Sequence, residues 1–162
     1  MVQGRNWRSV RLMRAAVLTC IALIVTACTD APLLPANAIQ GDRIPAPLTQ
    51  TAGDPIRGAQ IFAARDQGHC VLCHQVDALD APFQGNVGPA LNLVAARLDA
   101  AQIRLRIVDY QRVMDGALMP SYYRTDGFRQ VGEPYKNEPV LSAQQVEDLV
   151  AYLVTLGAPD DA

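Results

Sequence analysis

The feature that most constrains this chain is the five-residue run Cys70-Val71-Leu72-Cys73-His74. Two cysteines separated by two residues can share one short turn, so both thiols reach the same bound group and the next imidazole is directed to one side of it. This is the pattern of covalent haem attachment, in which the thiols add to the haem vinyl groups and the histidine ligates the iron. The sequence therefore predicts one haem c, attached through Cys70 and Cys73, with His74 as the proximal ligand.

A Cys-x-x-Cys pair can also be a redox-active dithiol of the thioredoxin type. That alternative requires the motif to start a helix among alternating strands and helices, and no such alternation is predicted here. Of the four cysteines, Cys20 and Cys28 belong to the N-terminal export region, which leaves one pair in the folded part. A framework of several disulfides is therefore excluded, and the haem interpretation is preferred.

The N-terminus has the form of an export signal. Four arginines precede the uncharged apolar run 15–27, which is shorter than the roughly 20 residues of a transmembrane helix. Residues 1–27 are therefore expected to be a signal peptide, and the protein is expected in the periplasm. The end of the run, Val25-Thr26-Ala27-Cys28, is similar to a lipoprotein cleavage box and predicts a lipid anchor at Cys28. The alternative is ordinary cleavage after Ala36-Asn37-Ala38.

The charge balance limits the partners. Removal of the signal leaves 10 of the 14 basic residues against all 16 acidic residues, so the remaining chain is acidic. Nucleic acid is therefore not an expected partner, and contact with a membrane is expected only through the lipid on Cys28. Lys136 is the only lysine, which disfavours a shuttle that is steered by a basic surface toward many oxidases.

The 162 residues are enough for one compact domain with short appendages. Residues 28–53 contain several prolines, few large apolar side chains and no helical period, which predicts a proline-rich tether; disorder is the alternative. The folded domain is expected over residues 54–157. Residues 158–162 are expected to form a tail.

The folded part is expected to be all-α. Three helix starts are marked by capping residues and their partners: Asp54 with Pro55, Asp99 with Gln102, and Ser142 with Gln145. The first helix is expected to end near Arg65, and Gly157 is expected to stop the last one. A glycine one turn before a phenylalanine, Gly58 and Phe62, permits the last helix to cross closely, with Tyr152 filling the gap.

The middle helix carries several arginines, whose roles the sequence leaves open: Arg97, Arg104, Arg106 and Arg112. Arginines at such spacing usually form a solvated face. The alternative is that one or two of them pair with haem propionates or with an acidic partner surface.

An electron-transfer haem needs a sixth iron ligand, so that a change of redox state requires little rearrangement. His69 adjoins Cys70 and cannot reach the distal side. Outside the signal the methionines are Met114 and Met119, and Met119 precedes Pro120, where a helix cannot continue. Met119 is the predicted distal ligand. Ligation by Met114, and an open site with Met119 in the core, remain as alternatives.

A second short motif, Gly88-Pro89-Ala90-Leu91, lies after the cysteine motif. The carbonyl of Pro89 is expected to accept the ring N–H of His74, which would orient the imidazole and raise its basicity. The alternative is a plain turn.

In this order the motifs resemble class I cytochrome c over residues 54–157. The residues that carry the resemblance are Gly58, Phe62, the cysteine motif, Gly88 to Leu91, Met119-Pro120 and Tyr152-Leu153. A narrower resemblance, to the X subunit of the Sox thiosulfate-oxidising cytochrome, comes from residues 106–109, 119–125 and 144–153. It implies helices packed around one haem that is held by Cys70 and Cys73, with His74 and Met119 as axial ligands.

The Sox resemblance also implies a partner, the A subunit, a haem protein that joins thiosulfate oxidatively to a cysteine of a carrier protein. The X subunit takes the electrons and passes them to a downstream acceptor cytochrome. It is then the electron-transfer subunit of an L-cysteine S-thiosulfotransferase complex and is not catalytic alone. Two alternatives remain: a stand-alone class I shuttle, periplasmic or membrane-anchored, and a haem enzyme or sensor with an open iron site. The family's members are usually soluble, so a lipid on Cys28 departs from the pattern.

The segment between Met119 and the last helix, residues 121–140, is longer than in a minimal class I cytochrome. It mixes aromatic and basic residues: Tyr122, Tyr123, Phe128, Tyr135, Arg124, Arg129 and Lys136. These residue types are enriched at interface hot spots. The segment is expected to cover the methionine side of the haem, and our hypothesis is that it also docks the partner haem subunit.

Overall fold

The computed structural model describes residues 33–35 and 37–157, and within these ranges its regular structure is helical. The helices are α1 (Pro55–Ala63), α2 (Ala100–Asp109) and α3 (Ala143–Leu153), with 3-10 turns at Cys70–Leu72, Tyr110–Arg112 and Glu133–Tyr135. None of the described helices has the length and apolar character that a membrane span requires. The all-α fold class is confirmed. The predicted signal peptide 1–27, Cys28 and the tail 158–162 lie outside the described residues.

Helix α1 begins where the sequence predicts. The carboxylate of Asp54 accepts hydrogen bonds from two backbone N–H groups of the first turn, and Pro55 occupies a position that needs no N–H donor. The helix ends at Ala63 rather than near Arg65, because Ala64 adopts an extended conformation with ψ of 122°. The chain leaves the helix there and turns toward the cysteine motif.

Helices α1 and α3 cross at a glycine, as predicted. A Cβ atom on Gly58 would lie 2.0 Å from the carbonyl oxygen of Asp148 on α3, so only glycine permits this approach. Phe62 is fully buried one turn later, and its ring packs edge-on against Tyr152 with centroids 5.8 Å apart. This crossing forms the centre of the hydrophobic core.

Helix α3 has the predicted capping box between Ser142 and Gln145. Its apolar stripe is buried against the other helices: Val146, Leu149, Val150 and Leu153. The α-helix ends at Leu153, and turn residues continue to Gly157, whose φ of +119° reverses the chain. The predicted stop at Gly157 therefore marks the end of this turn rather than the end of the helix.

Helix α2 starts with the predicted capping box of Asp99 and Gln102, but it contains a buried ion pair that the sequence does not predict. The Nε and Nη2 groups of Arg104 donate to the two carboxylate oxygens of Glu147 on α3, at 2.7 and 2.8 Å. The Nη1 group donates to the carbonyl of Ile44 at 2.8 Å. The expectation of a solvated arginine face is wrong for Arg104, because its partners come from distant parts of the chain.

Residues 37–53, here called the N-terminal arm, pack on the helices. Ile44 is 1% exposed, and its N–H donates to the carbonyl of Ala101 at 3.0 Å. The N–H of Leu48 donates to the Glu147 carboxylate at 2.9 Å. The sequence predicts a tether over 28–53, and the structure corrects this for the arm, which belongs to the domain. The arm needs no helical period, because its hydrogen-bond partners lie on α2 and α3.

The segment 121–140 is buried at its start and exposed along most of its length. The N–H groups of Tyr122 and Tyr123 donate to the carbonyls of Ile107 and Val108 on α2, at 3.2 and 3.3 Å. Both tyrosine side chains are buried. The exposed residues of the segment are Asp126 to Gln130 and Gly132 to Glu138. The two tyrosines thus tie the segment to α2, and the remainder faces solvent.

Candidate functional site

A cavity of about 680 Å³ lies between the cysteine motif, helix α2 and the methionine segment. The residues that the sequence singles out all line it: Cys70, Cys73, His74, Pro89 and Met119. Most of the remaining wall is aliphatic, and its larger members are Val87, Leu91, Val94, Leu98, Ile103, Ile107, Leu118 and Leu153. The volume falls within the roughly 300 to 1,000 Å³ typical of cofactor sites.

The cysteine motif forms a tight 3-10 turn at the edge of this cavity. The N–H groups of Cys73 and His74 both donate to the carbonyl of Cys70, at 3.1 and 2.9 Å. His69 enters the turn with φ of 56° and also lines the cavity. Neither Cys70 nor Cys73 is in a disulfide. The turn therefore presents two free thiols and one imidazole to the same space, as the spacing predicts.

The ring of His74 is oriented by the loop that contains Gly88 and Pro89. Its Nδ1 atom lies 2.8 Å from the carbonyl oxygen of Pro89. A carbonyl only accepts, so Nδ1 carries the proton and Nε2 keeps a lone pair for a metal. A Cβ atom on Gly88 would lie 2.4 Å from Cε1 of the ring, so the glycine lets this loop pass directly against the imidazole. The expected hydrogen bond is thus present, and the ring is prepared as a ligand.

The thiol chemistry does not suit a redox dithiol. Burial raises the pKa of the Cys70 thiol to about 12. Thioredoxin-type pairs depend instead on a lowered thiol pKa, which supplies the attacking thiolate. The described ranges also lack the strand and helix alternation of that fold. A protonated, partly buried thiol beside a cofactor-sized cavity fits covalent attachment better.

Two methionines reach the cavity. Met119 is partly buried and packs against the core, whereas Met114 is 55% exposed. Tyr122, which closely follows Met119 in the sequence, also lines the cavity. Burial raises the pKa of its hydroxyl above the ordinary value, so the hydroxyl remains a hydrogen-bond donor. The core packing favours Met119 as the better ordered sulfur.

Two arginines at the site have roles that the sequence left open. Arg97 and Arg106 line the cavity, and no aspartate or glutamate of residues 33–35 or 37–157 does. The sequence signal for Arg106 was its spacing from Ile103. Residues three apart share a helix face, and both residues line the cavity. Arg97 precedes the helix, so no helical periodicity could have predicted its place at the cavity.

The residues present fit a haem c. Two thiols on one turn, an imidazole with a free ring nitrogen and a methionine sulfur form the donor set of a c-type haem. The aliphatic wall would exclude water from the ring faces. When bound, a haem would supply one-electron redox chemistry, and Cys70, Cys73, His74 and Met119 are the residues that would hold it.

The comparisons with known proteins agree with this donor set. The Cytochrome c family profile matches residues 56–157. A chain in the crystal structure of SoxXA from P. pantotrophus is similar, with a TM-score of 0.71 and 34% sequence identity; the match covers 79% of this chain and 100% of that chain. No curated protein gives a match. The resemblance to class I cytochrome c close to the Sox X subunit is confirmed, and the chain belongs to the cytochrome c family.

Proposed function

We propose that the chain is the X-type electron-transfer subunit of a Sox thiosulfate-oxidising cytochrome in the periplasm. The observation that carries this proposal is the convergence of Cys70, Cys73, His74 and Met119 on one cavity. The similarity to a SoxXA chain, which is covered over its whole length, supports sulfur oxidation as the setting. The coarser function, electron transport by a c-type cytochrome, follows from family membership.

In the proposed site Cys70 and Cys73 attach one haem c through thioether bonds. His74, held by the Pro89 carbonyl, is the proximal ligand, and Met119 is the distal ligand. With both axial positions taken by the chain, no position remains for a substrate. The chain on its own therefore transfers electrons and makes no bonds.

The proposed partners are two other cytochromes. The A subunit carries out the oxidative joining of thiosulfate to a carrier-protein cysteine and delivers electrons to this chain, which passes them to a downstream acceptor cytochrome. The complex is then an L-cysteine S-thiosulfotransferase, and this chain is its electron-transfer subunit. The exposed part of segment 121–140 remains the proposed docking face, since Phe128 and Tyr135 are 38% and 43% exposed and Arg129 of the same segment is exposed as well.

The proposed location depends on the N-terminal sequence. Residues 1–27 are proposed to direct export, and a lipid on Cys28 is proposed to anchor the domain at a membrane surface. Native protein should then partition with membranes, and Cys28→Ser should release it. A native protein that is fully soluble before the substitution would instead indicate ordinary cleavage.

The function is tested with the haem-loaded, full-length chain, matured with its own signal. A tagged chain should retain the A subunit during purification, and the haem absorbance should show reduction when thiosulfate and the carrier protein are added together. Thiosulfate without carrier protein is the control and should give no reduction. A chain that retains no partner and is reduced only by general donors would be a stand-alone shuttle. A ferric spectrum without a methionine charge-transfer band, combined with binding of external ligands, would indicate an open-site enzyme or sensor.

A further inference from the structure

The charged side chains of the haem cavity have a single sign. Arg97 and Arg106 are the permanently charged residues among its described lining, which contains no carboxylate. A guanidinium group binds a carboxylate through two parallel hydrogen bonds, which makes arginine the preferred residue for this contact. A haem carries two carboxylate groups, so both the number and the sign of these arginines match it.

Arg106 is held by the N-terminal arm. Its Nη1 group donates to the carbonyls of Gln102 and Asp42 at 3.0 and 3.3 Å, and its Nη2 group lies 3.6 Å from the Asp42 carboxylate. The Gln102 side chain donates to the same carboxylate at 2.7 Å. That hydrogen bond, with the charges of Arg106 and Arg43, holds the pKa of Asp42 below its ordinary value. Asp42 is therefore ionised at neutral pH and acts as a counter-ion to Arg106.

The neighbouring arginines show that this placement is specific. Arg104, two residues earlier on α2, is turned into the core, where Glu147 binds it through both oxygens. Arg112, just beyond the helix, lies 3.5 Å from Asp109 and does not line the cavity. Arg97 forms no ion pair with any residue of 33–35 or 37–157. Arg97 and Arg106 are thus the arginines of this region that face the cofactor space.

We propose that Arg97 and Arg106 bind the two carboxylates of the haem, and that Asp42 positions Arg106, so that the N-terminal arm helps to set the reduction potential. The proposal rests on haem binding by this cavity. It assigns a redox role to an arm that the sequence predicts to be only a tether.

The expected effects depend on the sign of the charges. Reduction adds one negative charge to the site, so a nearby cation favours the reduced state and a nearby anion favours the oxidised state. Loss of Arg106 should therefore lower the potential, whereas loss of the Asp42 charge should raise it. If the two substitutions acted only by loosening the structure, they would not be expected to shift the reduction potential in opposite directions, because the two residues are in contact.

The test is a spectroelectrochemical titration of the purified, haem-loaded chain. We expect Arg106→Gln to shift the redox equilibrium toward the oxidised form about tenfold, which is about 59 mV for a one-electron couple. Arg97→Gln should shift it in the same direction, and Arg106→Lys should shift it less than Arg106→Gln because the charge is kept. Asp42→Asn should shift it about twofold the other way, and less at high salt, because the carboxylate is about half exposed. Arg112→Gln removes the same charge outside the cavity and is the matched control.

A double variant, Arg97→Gln with Arg106→Gln, that keeps the wild-type potential would overturn the proposal. A shift by Asp42→Asn in the same direction as Arg106→Gln would overturn the role of the arm. Both results require a covalently bound haem, which the wild-type spectrum establishes first. A wild-type chain that matures without haem would contradict the proposed function. A haem-loaded chain whose potential does not change in these variants would contradict only the present proposal.

Discussion

The two walls of the cavity are built in different ways. In the proximal wall, residues 70–91, the Gln84 side chain makes three hydrogen bonds to the backbone of Val76 and Leu79. A Cβ atom on Gly85 would lie 1.8 Å from the carbonyl oxygen of Leu72, so the loop passes directly against the cysteine turn here, as it passes against the His74 ring at Gly88. The proximal wall is therefore held by the hydrogen bonds of Gln84 and by the close backbone approaches at Gly85 and Gly88.

The distal wall, residues 114–120, has few such contacts. Within this wall, the described backbone hydrogen bond from the N–H of Ala117 to the carbonyl of Met114 is 3.3 Å long. The Leu118 side chain is 86% exposed. Its support comes from Tyr122 and Tyr123, whose backbone groups bind α2. The His74 side of the cavity is therefore held by more hydrogen bonds and closer backbone approaches than the methionine side.

The largest expected effect concerns the proximal attachment. In Cys70→Ser with Cys73→Ser, no thioether bond can form, so acid-acetone extraction should remove all of the haem that the variant binds. The wild-type protein should retain its haem through the same extraction. Met119→Leu, a change in the distal wall, is the control and should retain covalent haem as well. Release of haem from the wild-type protein would contradict the assignment of both cysteines.

The rigidity of the proximal wall is tested at a glycine. Gly88→Ala places a methyl group against the His74 ring, and overpacking of this kind should lower the free energy of unfolding by about 2 kcal/mol. Gly132→Ala is the matched control, because its Cβ would meet nothing closer than 3.8 Å, and it should change stability by less than about 0.5 kcal/mol. Both values come from urea unfolding of the haem-loaded protein. Equal stabilities of the two variants would mean that the proximal wall accommodates a methyl group at Gly88 without strain, which would contradict its rigidity.

The distal wall should tolerate a change of ligand with less loss of stability. Met119→Leu should abolish the methionine-to-iron charge-transfer band of the ferric protein, because leucine cannot ligate iron. Since Leu keeps the volume of Met, the packing contribution to the loss in free energy of unfolding should stay below about 1.5 kcal/mol. Met114→Leu should keep the band. If the band is instead lost in Met114→Leu and kept in Met119→Leu, the distal ligand is Met114.

The smallest expected effect is on docking beyond the distal wall. Arg129 is exposed, so Arg129→Glu should slow association with the partner haem subunit about threefold and leave the isolated protein's haem spectrum unchanged. Arg124 is a poor probe of docking, because its Nη1 group lies 3.5 Å from the buried carboxylate of Asp109. Its reversal should destabilise the isolated protein instead. Partner binding by Arg129→Glu at the wild-type rate would place the docking face elsewhere.

Features that depend on neighbouring residues were predictable. The caps at Asp54, Asp99 and Ser142 bind groups within three positions of themselves, and the structure contains all of them. The crossing at Gly58 was predictable as well, because a missing side chain marks a close approach. The end of α1 was not, since Ala63 and Ala64 are equally good helix formers and the point at which the chain leaves the helix depends on tertiary packing.

The placement of Cys70, Cys73 and His74 on one turn at the cavity could be predicted from the sequence alone, because the geometry of that turn is local. Which charged residues face the cofactor depends instead on the tertiary structure. Arg104 and Arg106 belong to one helix and have the same chemistry, yet one binds Glu147 across the core and the other lines the cavity beside Asp42. Their partners lie 43 and 64 positions away along the chain. Such contacts form only when distant segments pack together, and no local pattern encodes them.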